Sequence, residues 1–99
     1  MNKVKSIDKK ILLSEQRIDN WLFRTRILKS RAKAQKIISE GLIKVNKIKI
    51  EKSSIKIKVG DIVTLIEVNK IIIFSVENFA NKRLSAKKAT RLYKEIKIV

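Results

Sequence analysis

Four arginines, Arg17, Arg24, Arg26 and Arg31, fall within one stretch of fifteen residues in which Lys29 is the only lysine, while the other eighteen lysines are spread over the rest of the 99-residue chain. Codon usage in an A- and T-rich genome would enrich lysine everywhere, but it does not explain this placement of arginine. A guanidinium is planar, permanently charged and able to grip a phosphate through two parallel hydrogen bonds, whereas an ammonium acts as a point charge. The cluster is therefore equipped for phosphate recognition. Lys33 extends it on one side, and Lys44 and Asn46 extend it on an adjoining segment. Lys29, Arg31 and Lys33 surround Ser30, a residue suited to cap a helix. Cations at a helix start oppose the dipole, at a cost of about 0.3–1 kcal/mol each, unless an anion sits on the free N–H groups there. The phosphate-binding candidates are thus Arg17, Arg24, Arg26, Lys29, Ser30, Arg31, Lys33, Lys44 and Asn46. Asp19, an acid within this set, is expected to orient a neighbouring arginine. Trp21 reads as core, and Phe23 is evenly balanced between packing and base stacking.

The rest of the composition narrows the field. Histidine and cysteine are both absent, which removes imidazole acid–base chemistry, thiolates, disulfides and the usual zinc sites. The nine carboxylates are scattered and the two glycines form no phosphate-cradling loop, so no catalytic constellation, metal site, cofactor or small-molecule substrate is expected. A formal net charge of +16 would repel itself in a compact state unless a polyanion is the usual partner. With 44% hydrophobic residues the chain has enough Ile, Leu and Val for one modest core. The longest apolar runs, at 71–74 and 62–66, are too short to span a membrane. The opening MNKVKSIDKKILL lacks the apolar length of a secretory signal, so the expected location is the cytoplasm.

Positioning such a cluster takes defined elements. Residues 1–13 read as a basic arm and 14–99 as a single polyanion-binding domain. Ser14 is placed to cap a first helix whose buried stripe is Ile18, Trp21, Leu22, Thr25 and Leu28. Ser30 caps a second, with Ala34, Ile37 and Ile38 inward and Gly41 at its left-handed end. From residue 43 the period changes to two: Ile43 and Val45, then Ile48 and Ile50, then Ile55, Ile57 and Val59 alternate with lysines as half-buried strands. Turns are expected at Asn46-Lys47, Asn69-Lys70 and Gly60-Asp61. The segments 62–68 and 71–76 read as more fully buried strands. A last helix, capped by Ser85, is expected to carry Ala89, Leu92 or Tyr93, and Ile96 on its apolar side. The fold class is α+β: two N-terminal helices packed on a small, mostly antiparallel sheet, plus a C-terminal helix.

The ordered series Arg-Ile-Asp from 17, Lys-Ser-Arg from 29, Gly-Leu-Ile-Lys-Val-Asn from 41 and Val-Gly-Asp from 59 resembles the S-four RNA-binding domain, named for ribosomal small-subunit protein four. The ending FSVENFANKRLSAKKATRLYKEI is similar to that of the small ribosome-associated heat-shock proteins. Lys47 departs from that pattern, which usually has Gly after Val-Asn. The resemblance implies an S-four-like core over about 15–68, a C-terminal strand and helix extension, and a non-enzymatic role. Proteins of that subfamily bind free large ribosomal subunits that still carry peptidyl-tRNA and assist their recycling or rescue. The implied partners are structured RNA, in the first place large-subunit ribosomal RNA, with tRNA as a further candidate. The protein is expected to act as a monomer, without a membrane partner.

Overall fold

The computed structural model describes residues 14–99; the basic arm expected over 1–13 lies outside them. The helix expected from Ser14 does not start there. Residues Glu15–Arg17 form a strand, β1, paired antiparallel with β4 (Lys56–Lys58), with Gln16 opposite Ile57. Helix α1 (Ile18–Arg24) starts only afterwards, with no side-chain cap. Its leading N–H groups are satisfied by backbone: Ile18 donates to the Ile55 carbonyl at 2.8 Å and Asp19 to that of Ser53 at 3.4 Å. Carbonyls from a distant segment thus replace the serine cap, a choice that local sequence does not reveal.

Helix α2 (Arg31–Ser39) does have its expected cap, since the Ser30 hydroxyl accepts from the Lys33 N–H at 3.0 Å. It ends at Gly41, whose φ of +77° lets the N–H groups of Gly41 and Leu42 return to the carbonyls of Ile38 and Ile37. Such a terminus satisfies carbonyls that the helix leaves orphaned. The apolar stripe of the first helix is buried as expected: Ile18, Trp21 and Leu22 are fully buried, with Thr25 and Leu28 nearly so, although Leu28 lies in the turn after α1. Ala34, Ile37 and Ile38 of α2 pack into the same core.

The helices lie over a five-stranded antiparallel sheet ordered β3 (Ile48–Lys49), β2 (Ile43–Val45), β5 (Ile62–Ile66), β6 (Ile71–Val76) and β7 (Tyr93–Ile98). Ile43, Leu65 and Ile72 are cross-strand neighbours in one row of the core face. Strands β5 and β6 are buried on one face only, which corrects the expectation of full burial: Val63, Leu65, Ile72, Phe74 and Val76 point inward while Thr64, Ile73 and Ser75 are half exposed. The β2–β3 turn is made by Asn46 and Lys47 at φ +50° and +71°, so Lys47 takes the left-handed conformation that glycine usually supplies. The β5–β6 turn instead centres on Val68 and Asn69, one residue earlier than expected.

The C-terminal helix is present but one turn long. Helix α3 (Ala86–Ala89) is capped by Ser85, and the chain then becomes β7 rather than continuing as helix to Ile96. Ala89 and Leu92 are buried as expected, whereas Ile96 is 52% exposed. The spacing of Ala89, Leu92 and Ile96 fits a helix, but Tyr93, Ile96 and Ile98 also suit a strand. The open edge of β6 decides: Tyr93 pairs with Val76 and its ring meets Phe74 edge-on, centroids 5.4 Å apart.

Candidate nucleic-acid interface

The arginines separate into two groups, each organised by a different internal partner. The first is built on Asp19, whose side chain is fully buried at the start of α1. Its Oδ1 accepts from Arg17 Nε at 3.1 Å and from the Asn20 N–H at 2.8 Å. Its Oδ2 accepts from Arg17 Nη2 at 2.9 Å and from Gln35 Nε2 at 3.1 Å, and Arg31 Nη2 stands 3.8 Å away. One carboxylate therefore ties β1, α1 and α2 together and fixes the direction of the Arg17 fork. Burial by itself would push this carboxyl up. The hydrogen bonds from Gln35, Arg17 and the Asn20 N–H, with the Arg17 charge, outweigh it and hold Asp19 below its ordinary value.

The second group grips the connection between β6 and α3, residues 78–84. Arg24 Nη1 donates to the Ala80 carbonyl at 2.8 Å, and Gln16 Nε2 donates to the same oxygen at 2.8 Å. Arg26 Nε donates to the Leu84 carbonyl at 2.7 Å, and Trp21 Nε1 to that of Asn78 at 3.2 Å. Phe79 and Ala80 are buried beneath. Arg26 adopts φ +63° in the turn after α1, a conformation uncommon for a residue with a Cβ. Trp21 is core, as its place on the stripe suggests. The Phe23 ring is not open for base stacking on both faces, because Arg83 lies over it with its guanidinium carbon 4.4 Å from the centroid.

Lys29, Arg31 and Lys33 are exposed around the start of α2, where Ser30 acts as cap and the first turn holds no acid. Lys44 and Asn46 stand apart from the helices' joint. Lys44 alternates with core-facing Ile43, which places it on the other face of the sheet, beside Thr64 and Lys49. Asn46 uses both ends of its amide internally: Nδ2 donates to Asp61 Oδ1 at 3.1 Å and Oδ1 accepts from the Ile62 N–H at 2.9 Å. Asp61 also accepts from the Lys58 N–H at 2.8 Å. These bonds give Val-Asn and Val-Gly-Asp a shared structural role, a clasp between two turns. The loop 78–84 was absent from the sequence-derived site. Its signal was the apolar pair Phe79-Ala80 followed by Lys82-Arg83 in a stretch without periodicity.

Among the described residues no group of three side chains could hold a metal ion, and no helix is long and apolar enough to cross a membrane. Two helices with arginines at their joint lead into a strand and a Val-Gly-Asp turn, and this part of the chain, residues 16–63, matches the model of the S4 domain, an RNA-binding domain. Over most of its length the chain is similar to Heat Shock Protein 15 of Vibrio cholerae, whose structure is trimeric; the superposition gives a TM-score of 0.76 at 28% identity and covers 83% of this chain and 82% of that one. Small ribosomal subunit protein uS4 of Phytoplasma mali is 36% identical over 72 residues, 73% of this chain and 36% of the relative. The same protein of Fusobacterium nucleatum is 41% identical over 56 residues, 57% of this chain and 29% of the relative. The chain thus spans about a third of the length of these curated relatives.

Proposed function

We propose that this RNA-binding chain recognises ribosomal RNA of the large subunit and assists recycling or rescue of stalled subunits that carry peptidyl-tRNA, with no catalytic step of its own. The observation that carries this reading is the extent of the similarity to Heat Shock Protein 15. A superposition over 83% of the chain cannot be confined to residues 16–63, so the likeness includes structure beyond the S4 domain. The proposed contact surface is the helix side: Arg17, Arg24, Arg26, Lys29, Arg31 and Lys33, with Ser30 at the capped start of α2. Lys44 and Asn46 lie outside that surface. Recognition of this kind reads backbone shape and charge more than base identity.

A second reading, a ribosomal or general RNA- or DNA-binding module with no rescue role, is favoured by the higher identity to the small-subunit relatives, 36% and 41% against 28%. Sedimentation of tagged protein through a sucrose gradient separates the two. The expected result is substoichiometric migration with free large subunits, enriched when they carry peptidyl-tRNA and released by salt. Migration with small subunits alone overturns the rescue reading and leaves the module reading. Monomeric behaviour of the free protein in the same gradient is also proposed.

A further inference from the structure

We propose that the loop 78–84 forms a second wall of the RNA surface, and that Arg83, held over the Phe23 ring, is a phosphate-binding residue of that wall. The inference rests on the RNA-binding reading and adds to its site a segment distant in sequence from the S4 domain.

The loop has no regular structure, yet four side chains from β1, α1 and the turn that follows fix it. Gln16, Trp21, Arg24 and Arg26 all donate to its carbonyls. This does more than hold the loop in place. Carbonyl oxygens repel phosphate, and those of Asn78, Ala80 and Leu84 are engaged by internal donors. The charged side chains that the loop offers to solvent are Lys82 and Arg83, both exposed, beside the neutral Asn78 and Asn81. Among the described residues no carboxylate forms an ion pair with Lys82, Arg83 or Arg26. Arg83 lies over Phe23 of α1 and Arg26 bonds the end of the same loop, so the loop and the turn after α1 carry three cations without a counter-charge.

Arg83 is the best prepared of them. The ring quadrupole holds a guanidinium without using its N–H groups. The donors remain free for a phosphate, and part of the side-chain entropy is lost before the ligand arrives. Phe23 is accordingly a positioning residue.

The test uses the full chain and a fluorescently labelled RNA hairpin with an A-form stem, titrated at several salt concentrations. Arg83→Ala is expected to weaken binding about five- to tenfold at low salt and to reduce the slope of log affinity against log salt by about 0.7–0.9, one phosphate contact. Phe23→Leu is expected to give a similar loss without any change in charge, and Phe23→Tyr to restore wild-type binding. Lys97→Ala, on the sheet face away from the helices, supplies a control with the same charge change and an expected loss of no more than about twofold. Thermal melts report folding; should Phe23→Leu fail to fold, the Arg83→Ala slope and the Phe23→Tyr affinity still decide. An Arg83→Ala loss no larger than that of Lys97→Ala, with an unchanged slope, overturns this inference while RNA binding stands. A wild-type chain that does not bind the hairpin overturns the RNA-binding reading itself, and this inference with it.

Discussion

Asp19→Asn is the substitution with the largest consequence for its size. The carboxylate is fully buried and accepts four hydrogen bonds, two from Arg17 and one each from Gln35 and the Asn20 N–H. Breaking a fully buried pair costs about 3–5 kcal/mol, because the remaining charge is left uncompensated. Arg17 keeps 40% of its side chain in solvent, so it recovers part of its hydration and the figure must be reduced. An asparagine could still accept from the Asn20 N–H. Its amide nitrogen, however, would face the Gln35 and Arg17 donors with nothing to accept. The expected loss is about 2–3 kcal/mol. For a domain of this size that lowers Tm by roughly 10–20 °C, measured by thermal melts near neutral pH.

The same group sets an acid signature. Its native pKa is depressed below the unfolded value, so its contribution to stability is complete above the unfolded pKa, near about 4, and is lost as pH falls through the native one. The gap in stability between wild type and Asp19→Asn should therefore be constant from about pH 7 to about pH 5 and should narrow in stronger acid. RNA affinity should fall as well, since Arg17 and Arg31 lose the carboxylate that directs them. A variant that melts within about 2 °C of wild type, or a gap that does not change in acid, would refute the view of Asp19 as the anchor of this cluster.

Two further outcomes follow from the geometry. If the arginines are retained for their fork shape, Arg26→Lys or Arg31→Lys should weaken RNA binding at fixed salt although charge is unchanged, while Lys88→Ala or Lys94→Ala should matter less; equal losses in all four titrations would indicate a diffuse cationic surface. Lys47→Gly should stabilise the fold by about 0.5–1 kcal/mol in urea titrations, because Lys47 sits at φ +71° where a side chain is strained.

Local chemistry was legible wherever one residue's own conformation settled the matter. Ser30 and Gly41 bound α2, Asn46 makes a tight hairpin, and the Ile18, Trp21 and Leu22 stripe is core, all as their types require. The turn after β5 is off by one residue, and Ile48 and Val59, expected on half-buried strand faces, are exposed, but the two errors in element type fall where a distant partner decided. Glu15–Arg17 pairs with Lys56–Lys58 instead of joining the helix, and Tyr93–Ile98 completes the sheet instead of extending α3. Both segments carry patterns compatible with helix and strand, and strand pairing across long separations is invisible to periodicity. The site divides in the same way. The arginine cluster is local and could be read directly, while the loop 78–84 meets it only through bonds spanning more than fifty residues.

Those bonds also explain why arginine rather than lysine occupies this region. Arg17, Arg24 and Arg26 each commit some donors to the protein, to the Asp19 carboxylate or to loop carbonyls, and retain others for a ligand. A lysine, with one nitrogen at the end of a flexible stem, cannot divide its donors along two directions fixed by a plane. The internal contacts orient the outward ones, so the ordering entropy falls on folding rather than on binding. Such a side chain links affinity to fold: a change that loosens the loop 78–84 or unseats Asp19 disorders a proposed RNA contact without removing a single cation. Replacing a buried donor or acceptor such as Gln16 or Asp19 should therefore weaken binding more than replacing an exposed lysine, although only the lysine substitution lowers the net charge of +16.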